Sequence, residues 1–509
     1  MVETVTNPIR NIVIVGGGSA GWMTAAALSS LLPARAVQIT LVESEQFCTV
    51  GGCEATIPDV INFNALLGIP EQEFLKATNG TFKLGIEFKN WGQVGDSYFH
   101  PFGTHGVDMN GIDFHQYWLR YRDQNHASVI EDFSLCSVSA QQDKFALPDQ
   151  DPRSVLSQLR YAYHFDATAD AKYLRAYAET RGVRRVEGKV VKVHQHPESG
   201  FISGVDLEDG QSIAGDMFFD CSGFRALLMR QTLGVEFKDW AHWLPCDTAQ
   251  TVACERTGAL LPYTISTAKR AGWQWRIPTQ HRTGNGHIYS SQYITDDEAI
   301  ESLLGDLDGP ALAEPRKIKF RTGHIEKFWN KNCVAIGLSG GFLEPLESTS
   351  LFLIQEGISK FISLFPRADM PETVSQEYNR QLTKKCEQVR DFIILHYKAT
   401  QRSDSEFWTY CRTMSVPDSL SDRMELFHQA GRVFRYEDEL FSKTSWIAVL
   451  LGQNVVPQTV DPIVSTLDAA QITHSLSSMR AAMTGAANKM PTHEAFLKNY
   501  AWAGAPAMS

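Results

Sequence analysis

Between Arg10 and Arg35 the chain carries no charge, and it reads NIVIVGGGSAGWMTAAALSSLL over most of that span. Such an uncharged stretch could pass for a membrane span or a signal peptide. Three consecutive glycines directly after a β-branched run exclude a continuous membrane helix, because each glycine costs about 1 kcal/mol in a helix interior. Strand, tight turn and helix fit instead: a buried strand over Ile12–Val15, a turn at Gly16-Gly17-Gly18, and a helix from about Ser19 to Leu32. The following QITLVES predicts a second strand ending in Glu43, which completes a βαβ unit.

Within that unit Gly16-x-Gly18-x-x-Gly21 has the spacing of a dinucleotide fingerprint, and Glu43 lies 22 residues beyond Gly21. Glycines let the backbone approach a pyrophosphate, with Ser19 and Ala20 offering N–H groups at the start of the helix. An acid at the end of the next strand can accept from ribose hydroxyls. NAD and FAD share the fingerprint. Two later stretches favour FAD: FDCSG (219–223), which follows a run of antiparallel hairpins, and CVAIGLSGGF (333–342), whose turn contains Gly340 and Gly341. In flavoproteins of the glutathione-reductase type, similar stretches hold the rest of the cofactor. The expected fold class is α/β: a doubly wound FAD-binding body with antiparallel β insertions and a mainly helical C-terminal part. The expected boundaries are 8–360 for the body, including a substrate-pocket insertion at about 60–130, and 361–500 for a helical subdomain packed on it.

At 509 residues the chain is long enough for such an assembly. Its net charge of −11 gives no basic footprint for nucleic acid. Nine dispersed cysteines without a CxxC pair point to reduced thiols in a cytoplasmic protein, with no metal site and no disulfide frame.

GWQWRIP (272–278) puts two indoles on one side of an extended segment, since strand side chains repeat every second residue. Alone, this is a core strand. Together with GGGSAGW, CEATIP (53–58), FKLGIEFKNW (82–91), FHPFG (99–103) and FLEPLEST (342–349), it resembles the flavin-dependent tryptophan halogenases over roughly residues 8 to 460. The resemblance implies a two-component enzyme. Reduced FAD from a separate NAD(P)H-dependent flavin reductase reacts with O2, and bromide or chloride becomes hypohalous acid. That oxidant travels through a tunnel to a lysine beside an aromatic substrate.

By the same resemblance Lys83 is the catalytic lysine and Glu347 the catalytic glutamate. The backbone at Thr349 and Ser350 captures halide, although many relatives have glycine at position 350. Trp273, Trp275, Ile277 and Pro278 form the partition between flavin and substrate, and His100 and Phe102 line the substrate pocket. Alternation by itself reads differently: Phe82, Leu84, Ile86 and Phe88 make an apolar face, with Lys83 pointing away from it as a solvated lysine. Cys53 stands where relatives usually carry glycine. Tryptophan-specific members grip the amino acid with paired tyrosines, whereas the corresponding stretch here, FRYEDELFSKTSWIAVLLGQNVVP (434–457), has a single Tyr436 preceded by Arg435. The expected substrate is therefore an indole-like aromatic. Free L-tryptophan, an aromatic flavin hydroxylase and a non-catalytic FAD-binding protein are the alternatives. No nucleic acid or membrane partner is expected, and a homodimer is compatible with the sequence.

Overall fold

The computed structural model describes residues 8–44, 52–122, 128–436 and 438–502. Cys48 and residues 123–127 of the anticipated insertion lie outside these. The nucleotide-binding sheet has six strands in the order Trp329–Asn330, Cys333–Ala335, Met217–Asp220, Asn11–Val15, Gln38–Glu43 and Arg184–Glu187. All neighbours are parallel except the first pair. Between polar ends at Asn11 and Asp220 its central strands are apolar, because helices cover the sheet: Ile12, Val13, Ile14, Met217, Phe218 and Phe219 are all buried. The helix Ser19–Leu31 follows the glycine turn, and the anticipated hairpins form a separate antiparallel sheet of Val190–Gln195, Ile202–Leu207 and Ser212–Ala214.

A second sheet of seven strands runs in the order Arg316–Lys319, Thr248–Glu255, Arg282–Tyr289, Gly272–Pro278, Thr264–Lys269, Gly85–Lys89 and Ser97–Pro101. The segment anticipated as an insertion thus supplies two strands of this sheet, and the GWQWRIP strand is central in it. Trp275 pairs with Gly286, where a β-carbon would come within 2.0 Å of the Trp275 ring; only glycine leaves room for that indole.

Alternation misplaces Lys83 for a topological reason. Residues 81–89 are two strands in different sheets: Thr81–Lys83 pairs with Ala162–Asp166, whereas Gly85–Lys89 joins the seven-stranded sheet. The alternation of Ile86 and Phe88 inward with Glu87 and Lys89 outward holds only for the second. Lys83 ends the first strand and is 0% exposed, so it is not a solvated lysine. The C-terminal part is helical, as anticipated. Its longest helix, Glu372–Lys398, ends in a wholly buried turn, Phe392 to Tyr397, inside the main body.

Candidate active site

The three stretches read as a nucleotide site converge. Gly16 has φ +117°, and a β-carbon there would sit 2.1 Å from the Cys221 carbonyl oxygen, so the first glycine turn is pressed against the end of the FDCSG strand. Gly337 approaches Ala20 so closely that a β-carbon would lie 2.8 Å from it, and the Ser339 hydroxyl donates to the Asp220 carbonyl. Asp220 anchors the junction by accepting from the backbone N–H groups of Ser222, Leu228 and Met229.

The cradle fits a dinucleotide. Gly18 faces open space where a side chain would stand, and the helix Ser19–Leu31 begins with no side-chain cap and no acid in its first turn. Glu43 ends its strand as expected, but its carboxylate is already engaged by Arg185 and by Trp22 Nε1 at 3.3 Å, leaving only its remaining lone pairs for a ribose. Gly341, at φ +153°, is required by close packing on its strand partner: a β-carbon would lie 2.5 Å from the Gly323 carbonyl oxygen. Gly16→Ala should cost about 1–3 kcal/mol through strain and steric overlap. A lowered Tm together with weaker FAD retention checks this; an unchanged Tm would contradict the packing described.

The turn after Phe342 opens toward the helix Ser350–Ser363. Ser350 lines the same groove as Gly340, Gly341 and Phe342. Thr349 is fully buried, and its hydroxyl oxygen has no partner among the described residues. That orphaned hydroxyl at the start of a helix suits an anion, since the first-turn N–H groups have no intrahelical acceptor.

Glu347 and Lys83 lie on either side of Ser348. The Lys83 Nζ donates to the Thr56 carbonyl at 3.0 Å and to the Ser348 hydroxyl at 2.7 Å, and it stands 5.1 Å from the centre of the Phe102 ring. Burial drives the Lys83 ammonium down to about 7, against the opposing pull of Glu347. Ser348 takes a left-handed conformation, φ 60°, which directs its hydroxyl to Lys83 at a cost of order 1 kcal/mol.

Burial alone would raise the Glu347 carboxyl, but the charge and hydrogen bond of His100 and the close approach of His396 outweigh it and hold it at about 2. His100 Nδ1 donates at 2.9 Å, and His396 Nε2 lies 2.8 Å from the other oxygen. His100, read as a pocket residue, is thus a direct partner of Glu347. His396 carries no sequence signal: it sits in an ordinary amphipathic helix. Glu344, three residues before Glu347, is also buried, and it takes the indole N–H of Trp273 at 2.8 Å. The two indoles of the tryptophan strand lie 5.9 Å apart and tilted by 55°. Trp275 and Ile277 pack on Cys53 and Ala55, and Cys53 fills the space over Gly284. Pro278 ends that strand, its carbonyl accepting from the Thr81 hydroxyl.

A doubly wound nucleotide cradle in one chain with a buried lysine–glutamate site points to a dinucleotide-dependent oxidoreductase. Comparison with known proteins narrows it: the tryptophan halogenase family matches residues 11–469, and the chain belongs to that family. The tryptophan 6-halogenase of Streptomyces toxytricini is 36% identical over 501 residues, which cover 93% of this chain and 95% of that protein. A flavin-dependent halogenase from Xanthomonas campestris superposes with a TM-score of 0.94 at 45% identity, covering 98% of this chain and all of that one. One from Brevundimonas sp. gives 0.93 at 44% identity, over 97% and 99% of the two chains. The enzyme is therefore a flavin-dependent halogenase, and its family uses FAD and a halide. The hydroxylase and non-catalytic alternatives are not favoured. Among the described residues no helix is long and apolar enough to cross a membrane, and the eight described cysteines are free and buried.

Proposed function

We propose that this halogenase places halogen on an indole-like aromatic held beside Lys83, with Glu347 as its second catalytic group. The supporting observation is the wholly buried Lys83 amine, bound to Thr56 and Ser348 and one residue removed from a carboxylate kept anionic by two histidines. Bound reduced flavin, supplied by a separate NAD(P)H-dependent reductase, would provide the two electrons that convert O2 and halide to hypohalous acid and water. The Thr349–Ser350 turn would hold the halide, and the Trp273–Trp275 pair would separate flavin from substrate.

At the far end the ammonium of Lys83 spends two N–H groups on Thr56 and Ser348 and has a third for the hypohalous acid oxygen. Carbon–halogen bond formation breaks the halogen–oxygen bond. Hydroxide leaves as water with the proton from Lys83, and the ring proton passes to the Glu347 carboxylate. No stronger base is needed, because the cationic ring intermediate is far more acidic than a carboxylic acid.

Substrate choice follows from the stretch at 434–457. The Glu439 carboxylate is taken by the two terminal guanidinium nitrogens of Arg423, at 2.7 and 3.2 Å, and that guanidinium stacks on Trp446 at 4.1 Å and Tyr436 at 4.9 Å. With its carboxylate taken by Arg423, Glu439 is not left for the ammonium of a zwitterion, whose buried charges need partners. Beside His100 the surroundings are aromatic: Phe392 stacks on Phe441 at 3.7 Å, with Trp446 edge-on at 5.0 Å. With FAD, a flavin reductase and bromide, indole should be turned over at least about tenfold faster than L-tryptophan, by kcat/KM. The reverse ranking overturns the substrate assignment.

A further inference from the structure

Glu344 is wholly buried, and one of its oxygens carries two hydrogen bonds, from Trp273 Nε1 at 2.8 Å and from the Tyr397 hydroxyl at 2.6 Å. The other oxygen, Oε1, is buried with no partner among the described residues. Three other buried tryptophans use cheaper acceptors: Trp91, Trp329 and Trp408 each donate to a backbone carbonyl, of Ser266, Lys331 and Lys269, whereas Trp22 donates to Glu43, a carboxylate whose charge Arg185 balances. A carboxyl is a costly group to bury merely to satisfy one indole. Burial pushes this one up to about 7.

The second donor is placed tellingly. Tyr397 follows His396, so adjacent residues at the end of the helix Glu372–Lys398 reach the two acids of a single Glu-Pro-Leu-Glu turn, Tyr397 to Glu344 and His396 to Glu347. Tyr397 is held in turn by stacking on Trp408, with centroids 5.9 Å apart, and by edge contact with Trp91 at 5.5 Å.

We propose that Glu344 is a positioning residue for the partition: through Nε1 it fixes the plane of the Trp273 indole, and through Tyr397 it ties that plane to the helix end that holds Glu347. The inference rests on the two-chamber halogenase reading above. A tilted indole would let oxidant escape, or let substrate approach the flavin side, before halogenation. The consequence is a change in how the oxidant is partitioned, separable from a loss of folding.

The test uses full-length enzyme with FAD, reductase, bromide and indole, and follows brominated indole, free hypobromous acid trapped by a soluble 1,3-diketone, and hydroxylated indole. Glu344→Met and Trp273→Phe should each lower the ratio of brominated product to trapped oxidant about tenfold, as expected of a misplaced wall. The double variant should be no worse than Glu344→Met alone, because both changes remove one interaction. Glu344→Gln, whose carbonyl accepts the same two bonds, should keep the ratio within about twofold of wild type. In ¹⁵N-tryptophan-labelled protein without flavin, the indole N–H signal missing from Trp273→Phe should persist in Glu344→Gln and exchange rapidly in Glu344→Met. A wild-type ratio in Glu344→Met, multiplicative effects in the double variant, or an unprotected indole in wild type would overturn the proposal. Failure of wild type to brominate any aromatic would instead sink the functional reading while leaving the indole exchange result standing.

Discussion

Replacing Lys83 with alanine should lower halogenated product about a thousandfold while reduced flavin is still consumed. The amine is bonded to Thr56 and Ser348 and to none of the cradle glycines, so its removal should leave flavin oxidation supplied and the halogen without a site of delivery. The product of wasted turnovers should be hypohalous acid in solution, measured with a chemical trap. A variant that still halogenates within tenfold of wild type would end the assignment of Lys83. Burial also imposes a pH signature. The amine titrates near 7, well below its ordinary 10.5, so the ammonium that donates to the oxidant is lost as pH rises through about 7. Product per oxidant formed should fall across that range, and a rise would mean that the free amine is the reacting form.

Stability carries the opposite sign. Between about 7 and 10.5 the unfolded chain binds more protons at this residue than the folded one, so its contribution to wild-type stability becomes more favourable with pH. The difference in denaturation midpoint between Lys83→Met and wild type should therefore shift toward wild type across that window.

Glu347→Gln is expected to reduce halogenation about a hundredfold, since an amide of equal volume can neither accept the ring proton nor balance two histidines. It should also move the Lys83 limb of the pH profile downward, because Glu347 opposes the effect of burial on Lys83 and the amide does not. That displacement separates this role from a merely structural one: loss of packing lowers the rate at every pH and leaves the midpoint in place. An unchanged midpoint would uncouple the two residues. The carboxyl itself, held at about 2 by His100 and His396, contributes stability above its ordinary 4.5 that is lost as pH falls toward 2.

The parts of the molecule legible in the sequence are those whose physics is local. A glycine turn after an apolar strand encodes its own backbone geometry, so the βαβ unit and its cradle were readable from residues 11–43. The pairing of two indoles on one strand face follows from the two-residue repeat alone. The turn at FLEPLEST could be located, but apart from the resemblance its residues do not separate the two acids, because what distinguishes Glu344 from Glu347 physically is the helix that meets them. The roles proposed for Lys83 and Glu347 rest on family resemblance, whereas alternation put Lys83 in solvent.

What only the tertiary structure decided depends on contacts between distant segments. A break between two sheets buries Lys83, and no window of sequence carries that break. His396 and Tyr397 arrive from a helix whose pattern says only that one face is apolar, yet they set the charge of one carboxyl and brace the other. Arg423 closes on Glu439 in the same way. Backbone conformation is governed by neighbouring residues, and so by sequence; the ionisation and orientation of a buried side chain are governed by whatever the fold packs against it.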